Sequence, residues 1–163
     1  MKKLLLSLVV GLSFSAVQAA DIGVVDIEKV VQNSDYLKQQ QQAFQASVKT
    51  QTSQIEQLQK DLSALQQKAQ AGAKLSDAEK KKMSEEFETK ARKLESLQQE
   101  VQAKAQSSMQ TTQKSFETRV KTAAEQLRQE NKLDAVLNKT AVLASNPKDD
   151  LTDKMLQKVN AMK

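Results

Sequence analysis

Residues 69–79 read AQAGAKLSDAE, and this stretch decides the fold. Gly72 is the only glycine after residue 23, so it marks the point at which a long helical sequence is expected to break. The following Ser76-Asp77-Ala78-Glu79 matches a capping box, in which a serine hydroxyl and a glutamate carboxylate accept hydrogen bonds from free amides at a helix start. The stretch therefore predicts the end of one helix, a turn at 72–75 and the start of a second helix.

The residues on both sides of this turn predict two long helices, over 34–71 and 76–131. Apolar residues recur every three or four positions in both, as on one face of a helix. Because a short turn joins the helices, we expect them to pack antiparallel, with facing positions that have a constant sum. The facing apolar positions sum to 148 or 149. The predicted seam contains Phe44, Val48, Ile55, Leu58, Leu62 and Leu65 on the first helix and Met83, Phe87, Leu94, Leu97 and Val101 on the second.

The second helix is predicted to extend roughly 27 Å beyond the first, at 1.5 Å per residue. Its surplus carries Phe116, Val120, Ala123 and Leu127, which need cover from elsewhere in the chain. We expect that cover from the chain ends. The predicted elements there are a strand at 21–27 and a capped helical stretch at 28–32, then a β-hairpin of 133–137 with 140–144 around Asn138-Lys139, and a last helix that opens at 150–153.

The predicted fold is mainly α with a small β part: a long antiparallel helical hairpin projects from a small β-containing body. The arm comprises 34–113, and the body comprises 20–33 and 114–163. A body of roughly 60 residues is marginal for independent folding, and its strands have open edges, so we expect oligomerisation through it. The residues expected in this shared body are Ile22, Val24, Val25, Val136, Leu137, Val142 and Leu143.

The first residues are predicted to be a cleaved signal peptide, 1–19. Lys2 and Lys3 precede an apolar run that ends at Val17, and small residues follow at the position a signal peptidase reads. Cleavage is expected after Ala19 or Ala20. A short membrane anchor is the alternative, but the run is below the roughly 18 residues needed to span a bilayer. We therefore expect an exported protein, located in the periplasm.

The composition argues against catalysis. The chain contains no cysteine and no histidine, so it lacks the usual general base, the usual soft metal ligands and the usual thiol nucleophile. It also lacks a glycine-rich phosphate loop. We expect no enzyme activity, no metal and no cofactor, and we expect stability without disulfides.

The positive charge is concentrated near the turn. Residues 68–93 carry eight basic and five acidic side chains, a net charge of +3. Such a run is either a solvated helix face or a surface that captures acidic polymers or an anionic membrane. Nucleic acid is a poor partner because aromatic residues make up only 3% of the chain. The predicted basic tip contains Lys74, Lys80, Lys81, Lys82, Lys90, Arg92 and Lys93.

Three stretches together resemble the Skp/OmpH family of periplasmic chaperones. They are ADIGVVDIEKVVQNS at 20–34, the Gln/Lys-rich hairpin, and NKLDAVLNKTAVLASNPKDDLTDKMLQKVN at 131–160. The resemblance implies a homotrimer whose three helical arms surround a cavity. It also implies ATP-independent holding of unfolded outer-membrane proteins. Some members are associated with lipopolysaccharide through basic arm residues. Gln106, Ser107 and Ser108 stand here where arginines are sought, so that partner stays open.

Two other functions remain open at this stage. The coiled-coil arm also suits a structural scaffold or adaptor of the cell envelope. The basic tip suits a protein that binds an anionic membrane surface. A cytosolic prefoldin-like chaperone shares the general shape but conflicts with the predicted signal peptide.

Overall fold

The computed structural model describes residues 20–71 and 75–162. The predicted signal peptide and residues 72–74 of the predicted turn lie outside the described residues. The protein is mainly helical with one small sheet, as predicted. Its elements in chain order are β1 (Ile22–Val25), α1 (Ile27–Asn33), α2 (Asp35–Ala71), α3 (Asp77–Glu130), β2 (Ala135–Asn138), two 3-10 turns (Lys139–Ala141 and Pro147–Asp149) and α4 (Thr152–Ala161).

Helices α2 and α3 form the predicted antiparallel hairpin. Both end within one residue of the predicted bounds. Leu65 and Met83 line one groove near the turn, and Phe44 and Ala105 line another at the opposite end. The position numbers of these pairs sum to 148 and 149, which are the values predicted from the sequence. The predicted register of the two helices is therefore observed.

The start of α3 is a capping box. The Ser76 hydroxyl accepts a hydrogen bond from the Glu79 amide at 3.4 Å, and the Glu79 carboxylate accepts one from the Ser76 amide at 2.9 Å. The Ser76 hydroxyl also donates to this carboxylate, and these contacts lower the pKa of Glu79. The predicted start is therefore confirmed, and the negative charge of Glu79 is held at the helix end.

The end of α3 is a Schellman turn with a lysine in the left-handed conformation. The Leu133 amide donates to the Arg128 carbonyl at 2.9 Å, and the Lys132 amide donates to the Gln129 carbonyl at 3.2 Å. Lys132 has φ of 54°. This turn directs the chain from the helix into β2.

Lys132→Gly is expected to stabilise the protein. The left-handed conformation costs a non-glycine residue about 1–2 kcal/mol, whereas the greater freedom of glycine in the unfolded chain costs about 0.4–1 kcal/mol. We expect the free energy of unfolding to rise by about 0.5–1 kcal/mol, measured by urea denaturation. Lys154→Gly, inside α4, is the control and is expected to destabilise. An unchanged or lower stability of Lys132→Gly would contradict this account.

Glu125 supports the last turns of α3 through its carboxylate. Arg128 donates to it from two nitrogens at 2.7 and 2.9 Å, and Gln129 donates at 2.7 Å. The Arg128 contact is the main reason why the pKa of Glu125 falls to about 2, and the Gln129 contact adds to it. The charged form of Glu125 is therefore favoured in the folded protein.

This depressed pKa predicts a pH-dependent stability difference between the wild type and Glu125→Gln. Because the folded pKa lies below the unfolded value of about 4.3, the stabilisation is fully present above that value. It is lost as the pH falls towards the folded pKa of about 2. Melting temperatures by circular dichroism should differ at neutral pH and converge near the folded pKa. Glu100→Gln, on the same helix, controls for removal of one charge, and a pH-independent difference for Glu125→Gln would refute the link.

The sheet contains two parallel strands within the described residues. β1 and β2 pair in the register Ile22 to Ala135 through Val25 to Asn138, and Val24 also bridges to Asp150. The predicted β-hairpin of 133–137 with 140–144 is therefore wrong. After Asn138 the chain enters a 3-10 turn, in which the Asn138 side chain accepts a hydrogen bond from the Thr140 amide at 3.3 Å.

The reason for this difference lies in the two residues at the predicted hairpin turn. The favoured two-residue hairpin turns require positive φ at the first central position or at both, and Asn-Lys is a weaker signal for them than Asn-Gly. Asn138 has φ of −71° and caps the 3-10 turn instead. Meanwhile, the Asp134 amide donates to the Asp21 carbonyl at 2.8 Å and sets β2 against β1.

The core lies where the surplus of α3 meets the two chain ends. Phe116 and Val120 pack against the edge of this cluster. The expectation that the chain ends cover the end of α3 is confirmed. The buried cluster, called the base cluster below, contains Val25, Val30, Ala123, Leu127, Leu151, Met155 and Val159.

Polar contacts fasten α2 to α4. The Asn160 side-chain oxygen accepts a hydrogen bond from the Asp35 amide at 3.0 Å, at the first residue of α2. The Arg119 guanidinium lies 4.0 Å from the centre of the Tyr36 ring and donates to the Val159 carbonyl at 3.2 Å. The first turn of the arm is therefore anchored on the C-terminal helix.

Candidate functional site

The exposed lysines of the tip follow the capping box directly. Lys80, Lys81 and Lys82 lie in the first turns of α3 and are exposed. Lys80 Nζ lies 3.6 Å from Asp77, and both side chains face solvent. Lys93, about three turns further on, is also exposed. Lys74 lies outside the described residues. These exposed lysines present positive charge to an approaching molecule.

Lys90 is placed differently from the other lysines of the predicted tip. Its Nζ donates to Asp61 of α2 at 2.7 Å and lies 3.6 Å from Glu86, and Gln57 donates to the same Asp61 carboxylate at 2.8 Å. The Asp61 contact raises the pKa of Lys90, and the Lys90 contact lowers the pKa of Asp61. Lys90 therefore joins the two helices of the arm. Arg92, with its guanidinium 3.7 Å from Glu88, is also paired.

An apolar groove lies beside the tip lysines. It has a volume of about 370 Å³ and combines apolar side chains of both helices with Lys80. Phe87 is 41% exposed there. Apolar and positively charged surface therefore adjoin at the end of the arm. The groove is lined by Leu65, Gln66, Ala69, Leu75, Lys80, Met83, Ser84 and Phe87.

The predicted seam is only partly shielded by the pairing of two helices. Val48 and Leu97 are buried. Phe87 is exposed, so apolar surface remains accessible near the tip of the arm. The other predicted seam residues are half-buried: Phe44, Ile55, Leu58, Leu62, Leu65, Met83, Leu94 and Val101.

A second groove, called the foot groove below, lies where the arm meets the base. Phe44 here faces the small side chains of Ala105 and Ser108, so a gap of about 490 Å³ remains between the helices. Met109, at its edge, is 66% exposed. Its lining combines Val31, Leu37, Phe44, Ala105, Met109 and Phe116 with the uncharged polar residues Gln40, Gln41, Ser108, Thr112 and Gln113.

Sequence reasoning did not identify the foot groove, although a signal for it existed. The same facing sum of 149 pairs Phe44 with Ala105 and Leu37 with Thr112. Each pair sets a large apolar residue against a small one. Such pairs cannot fill the space between two helices, and that mismatch marks the groove.

The residues predicted for the shared body separate into two groups. Val24 and Val25 are buried, and Val136 packs against the base cluster. Ile22 and Leu137 are exposed, Val142 is half-buried, and Leu143 is fully exposed. The second group leaves apolar surface on the outside of the sheet and on the segment that follows it.

Within 20–71 and 75–162, no group of three or more His, Cys, Asp or Glu side chains is placed to hold a metal ion. No helix in these ranges is long and apolar enough to cross a membrane.

Residues 21–159, which include the arm and nearly all of the base, match the sequence model of the family described as "Outer membrane protein (OmpH-like)". The chain belongs to the OmpH-like family. The membership predicted from the terminal blocks and the hairpin is thus confirmed. Within the described residues, the matched range spans β1, α1, the α2–α3 hairpin, β2 and most of α4.

Two proteins illustrate what this OmpH-like chain is similar to. It is 31% identical over 167 residues to a protein of Chlamydia pneumoniae named "Skp-like protein", with 98% of this chain and 96% of that protein covered. Its fold is similar to the crystal structure of a candidate outer membrane chaperone (OmpH-like) from Caulobacter crescentus. That match has a TM-score of 0.57 at 18% identity and covers 88% of this chain and 86% of the other.

Proposed function

We propose that this OmpH-like protein is an ATP-independent holding chaperone of the periplasm. It binds unfolded outer-membrane β-barrel proteins in a cavity between the arms of a homotrimer and prevents their aggregation. The observation that carries this proposal is the apolar surface that the arm leaves accessible at the foot groove and at the tip. Such surface on a soluble helical hairpin marks a site of interaction with other proteins.

The homotrimer is proposed because the base of one copy is incomplete. A two-stranded sheet is marginal by itself, and the outer edge of β2, which has no strand partner within the described residues, can pair with another chain. Ile22, Leu137 and Leu143 add exposed apolar side chains nearby. We therefore place the shared body in residues 20–33 and 114–163, with the arm in 34–113.

Holding a client in this way requires no chemical step. Each apolar contact between a client and the arms is weak. Once one contact has formed, the others form at a high effective concentration, so together they hold the client. The client is released when a folding site competes for the same apolar segments. The exposed lysines of the tip accelerate the first encounter with an acidic client.

The test is suppression of aggregation. A urea-denatured outer-membrane β-barrel protein is diluted into buffer with and without the mature protein, and light scattering is recorded. We expect suppression at equal amounts of trimer and client, and a trimeric mass by native mass spectrometry. Aggregation that proceeds unchanged would contradict the proposal.

A structural scaffold of the envelope is the second candidate. The cross-hairpin ion pair of Asp61 with Lys90 favours it, because this pair joins the two helices of a rod about 56 Å long. A trimer that fails to suppress aggregation would support the scaffold.

Binding of the tip to an anionic membrane or to lipopolysaccharide is a separate proposal, tested by flotation with anionic vesicles before and after Lys80, Lys81 and Lys82 are changed to Glu.

A further inference from the structure

The foot groove has the dimensions of one extended peptide segment. It follows α3 from Ala105 to Phe116, a distance of about 16 Å at 1.5 Å per residue. An extended chain covers that distance with about five residues, and every second side chain points to the same side. A groove of about 490 Å³ therefore faces about three side chains of a strand.

The chemistry of the lining selects a neutral, alternating segment. Apolar side chains form much of the surface, and none of the lining residues is charged. Gln40, Gln41 and Gln113 each carry both a donor and an acceptor, which a bound backbone needs because its amides and carbonyls must stay hydrogen-bonded. A charged side chain inside the groove would lose hydration without gaining an ionic partner.

The size of the groove argues against a second copy of this chain as its occupant. Helices pack about 8–10 Å apart, so the groove offers on the order of 150 Å². A stable interface buries about 800 Å² on each partner. The groove alone is several-fold too small for that purpose, but it is large enough for a single strand.

We infer that the foot groove is a client subsite for extended segments in which apolar and uncharged polar residues alternate. This alternation is the pattern of transmembrane β-strands, whose apolar side chains face lipid and whose other side chains face the lumen. The inference rests on the proposed function and assigns this part of the binding to Phe44, Met109 and Phe116.

The experiment measures the affinity of two fluorescent peptides for the full mature protein by anisotropy. Each peptide has about nine residues, long enough to exceed the groove, and a lysine at each end to avoid attraction to the basic tip. One peptide alternates Leu or Phe with Ser or Thr. The other has the same composition with its apolar residues in one block. The test variant is Met109→Asp, and the matched control is Gln110→Asp, an exposed neighbour that does not line the groove.

We expect the alternating peptide to bind the wild type and Gln110→Asp alike. We expect its binding to Met109→Asp, and that of the block peptide to the wild type, to be weaker by about tenfold. Equal affinity for Met109→Asp and wild type, equal affinity for the two peptides, or no peptide binding would overturn the inference. A changed native mass of Met109→Asp would also overturn it, because another copy would then occupy the groove. Failure of the wild type to suppress aggregation would instead contradict the proposed function, while anisotropy still decides the subsite.

Discussion

Leu127→Ala is expected to lower the free energy of unfolding by about 2–5 kcal/mol. Leu127 is 0% exposed and belongs to the base cluster, to which β1, α1, α3 and α4 contribute. Truncation removes apolar contacts and leaves a cavity among these elements, and the loss of stability increases with the volume of the cavity that remains. The measurement is urea denaturation followed by circular dichroism, at one protein concentration because assembly contributes to the apparent stability.

Gln110→Ala is the matched control for this prediction. It lies on the same helix and is exposed, so its effect should stay within about 0.5 kcal/mol. Similar losses for both variants would show that the base cluster is not the main source of stability. A smaller loss for Leu127→Ala than for the control would contradict the packing of the chain ends on α3.

Changing Lys80, Lys81 and Lys82 together to Glu is expected to slow association with an acidic unfolded β-barrel protein by about tenfold or more at low ionic strength. The three side chains are exposed at the end of the arm, so they set the local field that an approaching client meets. Negative charge is favourable near a helix N-terminus, which offsets part of the repulsion from the neighbouring acidic residues of α3. Stopped-flow fluorescence with a labelled client gives the association rate.

This second prediction has two controls, the ionic strength and the position of the changed charges. The difference between variant and wild type should shrink as added salt shortens the Debye length to about 8 Å. Lys49, Lys104 and Lys114 changed together to Glu alter the net charge equally, but they lie closer to the base, and a smaller effect is expected. If both triple variants slow association equally, net charge alone acts, and the tip has no special role.

The arm could be predicted from the sequence because its determinants are local. Gly72 and the Ser76–Glu79 capping box lie within eight residues of each other and define where one helix ends and the next begins. Apolar spacing then identifies the facing sides, and the short turn leaves only the antiparallel arrangement. The register follows because both helices are uninterrupted.

The base and the binding surfaces were harder to predict because their determinants are distant in sequence. β2 pairs with a strand more than 100 residues away, and nothing near Asn138 specifies this partner. Lys90 pairs with Asp61 across the hairpin, at positions adjacent to the apolar seam. Apolar spacing identifies the seam but not the charged pairs beside it, so this ion pair was not predicted. The foot groove arises from the mismatch of Phe44 with Ala105, which appears only when both helices are considered together.

The parallel pairing of β1 with β2 determines when the base can close. The whole arm is the connection between these strands, and β1 is made early while β2 and α4 are made last. Contacts between segments that are distant in sequence require a loss of loop-closure entropy before any favourable contact forms. A helical hairpin forms from segments that are neighbours in sequence. We therefore expect the arm to form before its foot, while β1 stays unpaired until the last thirty or so residues are available. A chain stopped short of α4 would be a finished rod without a closed base.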